Sequence, residues 1–160
     1  MGADSGIENG LIDMKIYLDF SGLEETLKAL EECAAEKEQR AANKRIVERS
    51  IPIVKEAMQK RIPVSADNSK SGKEGYRPGG HAKENVPISK ISTRGAQAWA
   101  EVGWQLGDSS EYFYMKFVEW GTWKMPPRDF IEVAIKETQG QIAAIAKEEY
   151  EALLARKLGG

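Results

Sequence analysis

The chain has 160 residues, 23 of them Lys or Arg and 25 Asp or Glu, so its formal net charge is −2. A single Cys excludes an intramolecular disulfide, and one Cys with one His is too small a ligand set for a structural zinc site. No apolar run approaches the roughly 20 residues of a membrane span, and the start Met1-Gly2-Ala3-Asp4-Ser5-Gly6 has neither the charge nor the apolar stretch of a signal peptide.

These features fit a reducing, cytosolic setting. The near-neutral charge argues against a protein that coats nucleic acid, and the length is that of one domain with a sizeable core. Residues 1–13 read as a flexible tail, Gly-rich at its start, and 14–158 as a single domain. From Met14 to Phe20, apolar Met14, Ile16, Leu18 and Phe20 alternate with Lys15, Tyr17 and Asp19, the pattern of a half-buried strand.

Ser21 and Glu24 then form a capping box ahead of a helical stripe: Leu23, Leu27, Leu30, Ala34, Ala41, Val47, Ile51, Val54 and Met58. The spacing predicts one long helix, kinked or divided at Pro52 and ended by Pro63. Hydrophobic periodicity stops between about 63 and 95, where Pro, Gly and Ser dominate; this predicts a long flexible loop, with an edge strand near Val86-Pro87-Ile88.

From Ala96 to Leu106 alternation returns, and Tyr112 to Trp120 is almost continuously apolar. The two runs, separated by Gly107-Asp108-Ser109-Ser110, predict an antiparallel hairpin. Met125-Pro126-Pro127 blocks helix, Asp129 stands where a cap would, and Ile131, Ile135, Ile142, Ile145, Leu153 and Leu154 predict a final helix over 130–158. Fold class is therefore α+β: a small antiparallel sheet packed by a long N-terminal helix and a C-terminal helix.

The residues do not assemble into a catalytic, cofactor or metal motif. His81 lies between Gly80 and Ala82 without a recognisable nucleophile or orienting acid, so it reads as a solvated loop histidine. Cys33, beside Ala34 and Ala35, reads as core. Gly72-Lys73 does not belong to a phosphate-binding loop. A hydrolase built on Glu119 and His81 is the least supported of the functional readings.

One charge feature is less ordinary. Lys60, Arg61, Lys70, Lys73, Arg77, Lys83, Lys90 and Arg94 outnumber Asp67, Glu74 and Glu84 across 60–94. This basic segment is either a solvated loop, a contact for an acidic protein surface, or a nucleic-acid-binding module. Arg77, Lys83, Lys90 and Arg94 are its candidate contacts.

The most distinctive segment runs Tyr112-Phe113-Tyr114-Met115-Lys116-Phe117-Val118-Glu119-Trp120-Gly121-Thr122, then Met125-Pro126-Pro127-Arg128-Asp129-Phe130. It reads as a buried strand closing on a Gly turn. Glu119 among aromatics needs partners, and the N–H groups of the Gly121-Thr122 turn or the Thr122 hydroxyl are nearest in sequence. Trp120, Trp123, Met125 and Phe130 are candidate interface or hinge residues, because aromatic and Met side chains are favoured at interfaces.

On these residues the chain resembles the tail-completion, or head–tail joining, proteins of long-tailed bacteriophages. Tyr114, Phe117, Glu119, Trp120, Gly121, Thr122, Pro127 and Phe130 stand at the positions of that family's aromatic-x-x-Phe-x-Glu-aromatic-Gly-Thr stretch, Pro-rich link and following Phe. The resemblance implies a structural protein of the virion neck, made in the host cytoplasm. It implies a homo-oligomeric, hexameric ring between head-connector and tail-tube or tail-terminator proteins. It brings no cofactor, no small-molecule substrate, no membrane and no catalytic residue, and leaves contact with DNA open.

Overall fold

The computed structural model describes residues 23–64, 66, 81–105 and 107–159. The strand expected over Met14–Phe20, the Ser21 cap and the loop contact Arg77 lie outside them. Among the described residues the order is α1 (Glu24–Cys33), α2 (Glu36–Arg61), a short 3₁₀ turn (Ala82–Asn85), β1 (Ser92–Arg94), β2 (Gln97–Trp99), α3 (Met115–Trp120) and α4 (Phe130–Leu158).

Helix α1 begins with Leu23 at its N-cap, later than the Ser21 capping box places it. The expected long helix is then divided at Ala34-Ala35, not at Pro52. Ala34 and Ala35 are both extended (ψ 134° and 150°). The Glu38 carboxylate accepts the Ala35 N–H at 3.0 Å, and the Gln39 amide donates to the carbonyls of Ala34 and Leu30 at 2.9 and 3.3 Å. Groups that would otherwise be orphaned at both helix ends are thus satisfied by two neighbouring side chains. Pro52 stays inside α2 on its exposed side. The backbone acceptor it leaves without a helical donor therefore faces water, which is the setting that tolerates a helical proline best.

Helices α2 and α4 pack antiparallel over most of their length. Arg61 pairs with Glu137 at one end, Arg49 with Glu148 and Glu149 in the middle, and Lys157 with Glu38 at the other. Two cores lie along this pair. One gathers Leu23, Leu30, Ala34, Ala42, Ile46, Ala146 and Leu153 where α1 covers the far end. The other gathers Met58, Ile62, Val102, Trp104, Met115, Phe130 and Ile131. Tyr150 closes the first through a 2.6 Å hydrogen bond to Asn43. Ser50 and Thr138, buried along the pair, donate to the carbonyls of Ile46 and Ala134 and so leave no unmet polar group.

The sheet is a two-stranded antiparallel ribbon, β1 with β2, in the register Ser92↔Trp99, Thr93↔Ala98, Arg94↔Gln97. Its turn is held on α2, where Asn43 donates to the Ala96 carbonyl at 2.7 Å and Arg40 donates to that of Gly95. An isolated bridge, Ile88↔Val102, extends the pairing beyond it. The architecture is α+β, as the sequence predicts, but the hairpin is a different one. β2 pairs with the preceding segment 92–94, and 112–120 is turn and helix. Residues 81–95 are also more structured than a flexible loop, since Ala82 and Val86 enter the core. Gly103, at φ 101°, lets the chain pass Met58 and Ile131 where a Cβ would lie 2.9 Å from the Met58 methyl.

Candidate interaction surface

The segment read as a buried strand is helical because its burial repeats every four residues. Met115 and Glu119 face inward and Phe113 and Phe117 face outward. Phe113 and Phe117 are each 44% exposed and meet edge to face at 6.3 Å. The Lys116 ammonium lies 5.7 and 5.6 Å from the two ring centres, a cation–π arrangement on the surface.

Glu119 is 2% exposed. Its carboxylate accepts the N–H of Ile131 (3.1 and 3.2 Å) and of Glu132 (3.4 Å), so α3 caps the N-terminus of α4. This corrects two expectations. The Gly121-Thr122 turn does not satisfy Glu119: the Thr122 N–H goes to the Met125 carbonyl, and the Thr122 hydroxyl accepts from the Lys124 N–H at 3.3 Å. Asp129 does not cap with its side chain either, because it is held in the left-handed region at φ 47°. Burial pushes the Glu119 carboxyl above the usual range, against the opposing hydrogen bonds from Ile131, Glu132 and Phe130, with the Asp129 charge adding to the rise.

Between these two helices the chain forms a closed loop. At its neck the Arg128 N–H reaches the carbonyls of Val118 and Glu119 at 3.0 and 3.2 Å. At its tip Thr122 and Met125 exchange both backbone hydrogen bonds, at 2.7 and 3.1 Å. Gly121 makes the return possible. Its φ is 74°, and a Cβ there would lie 2.7 Å from the Met125 carbonyl oxygen and from the Pro127 nitrogen. Compact surface loops whose ends are close are frequently functional.

Trp123 is what this loop presents. It is 90% exposed, with the Lys124 ammonium 4.5 Å from its ring centre. Trp120 and Met125 are half-buried along the loop, and Tyr114 is half-buried beside α3. Pro127 and Arg128 are exposed. Phe130 departs from its expected interface role. At 1% exposure it is a core residue, packed edge to face on Trp104 at 6.3 Å. It is the first residue of α4, so the same turn that exposes Trp123 drives Phe130 inward.

Among the described residues, the basic candidates Lys83, Lys90 and Arg94 are not gathered into one patch. Lys83 is half-buried and lines a shallow depression of about 480 Å³ with Glu56, Lys60, Ile62 and Val64 at the C-terminal end of α2. Arg94 is exposed on the ribbon, next to Gly95, which is held by Arg40 near the other end of α2. Nineteen helical residues separate Arg40 from Gln59, roughly 28 Å. Lys90 is exposed on the segment between them. Within the basic segment, Lys60 is engaged by Glu56 and Arg61 by Glu137.

His81 is half-buried, and its carbonyl accepts the Glu84 N–H and the Asn85 amide, each at 3.1 Å. Cys33 is half-buried against the α1 core. Among the described residues no group of three His, Cys, Asp or Glu is placed to hold a metal ion. No helix among them is long and apolar enough to cross a membrane. The chain matches no known protein family, no curated protein and no solved structure.

Proposed function

We propose that this chain is a structural neck protein of a long-tailed bacteriophage or prophage, which assembles into a ring and joins tail to head. On this reading its partners are further copies of itself, the head connector and the tail-tube or tail-terminator protein. Its place is the virion neck. It carries out no chemistry. The observation that carries the reading is the segment 114–130. Three of the residues on which the resemblance rests build one physical device: Glu119 caps α4, Gly121 permits the return and Phe130 anchors the base, while Trp123, which is outside the resemblance, is held in solvent by the same loop. An exposed Trp on a loop tied through its backbone suits docking on another surface, because aromatic anchors dominate interface energetics.

The test is electron microscopy of purified tails mixed with the chain. Ring density at the head-proximal end of the tail is expected, together with gain of head-joining competence. Trp123→Ala should abolish both while leaving the fold intact. Tails that never acquire the protein would overturn the reading.

A further inference from the structure

We propose that the Trp123 loop is a docking knob for a second copy of this chain, and that it seats on the outer face of α1. This deepens the ring reading above by naming the contact between copies.

Charge complementarity and geometry carry it. The loop between α3 and α4, from Gly121 to Asp129, carries exposed Lys124, Arg128 and Asp129 and so is net basic by one charge. The outer face of α1 has the opposite character: among its 10 residues stand four Glu and one Lys. Glu25, Glu31 and Glu32 are all exposed. Residues 25 and 32 lie about two helical turns apart and share a face, with Glu31 at its edge and the exposed Lys28 between them, so that face is net acidic.

The two surfaces sit at opposite ends of the α2–α4 pair. The loop adjoins Phe130 and Ile131 in one core, and α1 adjoins Ala146, Tyr150 and Leu153 in the other. Ile131 and Tyr150 are 19 helical residues apart, roughly 28 Å. A loop tied at its neck to Val118 and Glu119 does not reach the α1 of its own chain. The complementary surface it meets belongs to another copy. Two different patches on opposite ends make a heterologous contact, the kind that propagates into rings or filaments. In such a contact Trp123 supplies the desolvated anchor, and the Lys124, Arg128 and Glu pairs set register.

Sedimentation velocity of the purified chain over a concentration series at low salt tests this. Concentration-dependent self-association is expected. Trp123→Ala should weaken it by about tenfold or more, a usual effect for an interface anchor. Two charge-reversed chains should each fail to self-associate, one carrying Lys124→Glu and Arg128→Glu, the other Glu31→Lys and Glu32→Lys. Mixed together they should associate again, because each knob then meets an opposite charge. All altered residues are exposed, and circular dichroism confirms that each variant is folded. A wild-type chain that stays monomeric to about 1 mM, the scale of the weakest specific contacts, overturns the proposal. So does a Trp123→Ala chain that associates like wild type, or a mixture that does not recover. Recovery in the mixture without any ring on tails sustains this contact and removes the neck assignment. Rings on tails that are indifferent to both charge reversals do the reverse.

Discussion

At the α1 end of the helix pair, Leu30, Ala42, Ile46, Ala146 and Leu153 meet as apolar stripes from three helices. At the α3 end Ile62, Val86, Val102 and Ile131 surround the largest buried side chains, Trp104, Phe130 and Met58, and a buried carboxylate and a glycine that no other residue replaces without strain lie beside them. The first end is an ordinary helix-packing problem in which many similar contributions add. The second depends on a few positions, because one short loop must turn Phe130 inward and Trp123 outward within eight residues. The surface with the most unusual exposure therefore grows from the end that holds the largest buried side chains and the buried carboxylate.

The largest expected effect follows from that difference. Phe130→Ala removes a ring 1% exposed, packed on Trp104, and should cost about 3–5 kcal/mol in urea unfolding. A loss below about 2 kcal/mol would show that the α3 end is more plastic than this contrast holds. Leu30→Ala, at 3% exposure, should cost about 2–3 kcal/mol, in the lower part of the range for such truncations, because α1 is short and its neighbours can close in. If Leu30→Ala proved the more damaging, the contrast between the ends would reverse.

The same division governs what was legible in the sequence. Ile131, Ile142 and Leu153 recur at helical spacing, and α4 spans the residues that this stripe predicts. α2 was legible as a helix, but its break was not, since the cause lies in Glu38 and Gln39 reaching back to Ala34-Ala35. The segment 112–120 was misread because its apolar composition hid its period. Met115 and Glu119 buried, with Phe113 and Phe117 exposed, are two four-residue spacings that favour helix, and only burial separates them. Trp123 was legible as a candidate from its type and its turn. Phe130 was not distinguishable from it, because an aromatic in a proline-rich link gives no sign of which way it faces. β2 falls within the alternation from Ala96 that reads as strand, but its partner β1 lay hidden in the stretch before it, whose Gly and Ser content reads as loop.

Gly121→Ala probes the turn between the two fates. The substitution places a Cβ 2.7 Å from backbone atoms of Met125 and Pro127 at a positive φ, and should cost about 1–3 kcal/mol. Tail joining should fall with it, because a shifted tip no longer presents Trp123. A Gly121→Ala chain as stable as wild type would mean that the loop relaxes freely, and that its rigidity is not what positions the tryptophan.

The smallest effect separates two forces acting on Glu119. Its carboxylate caps α4, which favours the charged form, but burial raises its pKa, with Asp129 adding to the rise. A carboxyl whose folded pKa lies above its unfolded value contributes stability in acid, and that contribution is lost as pH rises through the folded value. Glu56 and Glu137 act in the opposite sense, since hydrogen bonds from Lys60 and Arg61 lower their pKa values, and both are exposed and screened. The comparison is therefore made against Glu119→Gln, which keeps one oxygen to accept the Ile131 N–H and does not titrate, so that its cost from the new NH2 group is the same at every pH. Urea unfolding of both chains from about pH 4 to about pH 7 should show the wild type losing ground to the variant as pH rises. A wild type that gains ground instead would show that the bond to the helix N-terminus outweighs burial, and that this end of the molecule is held by charge as much as by packing.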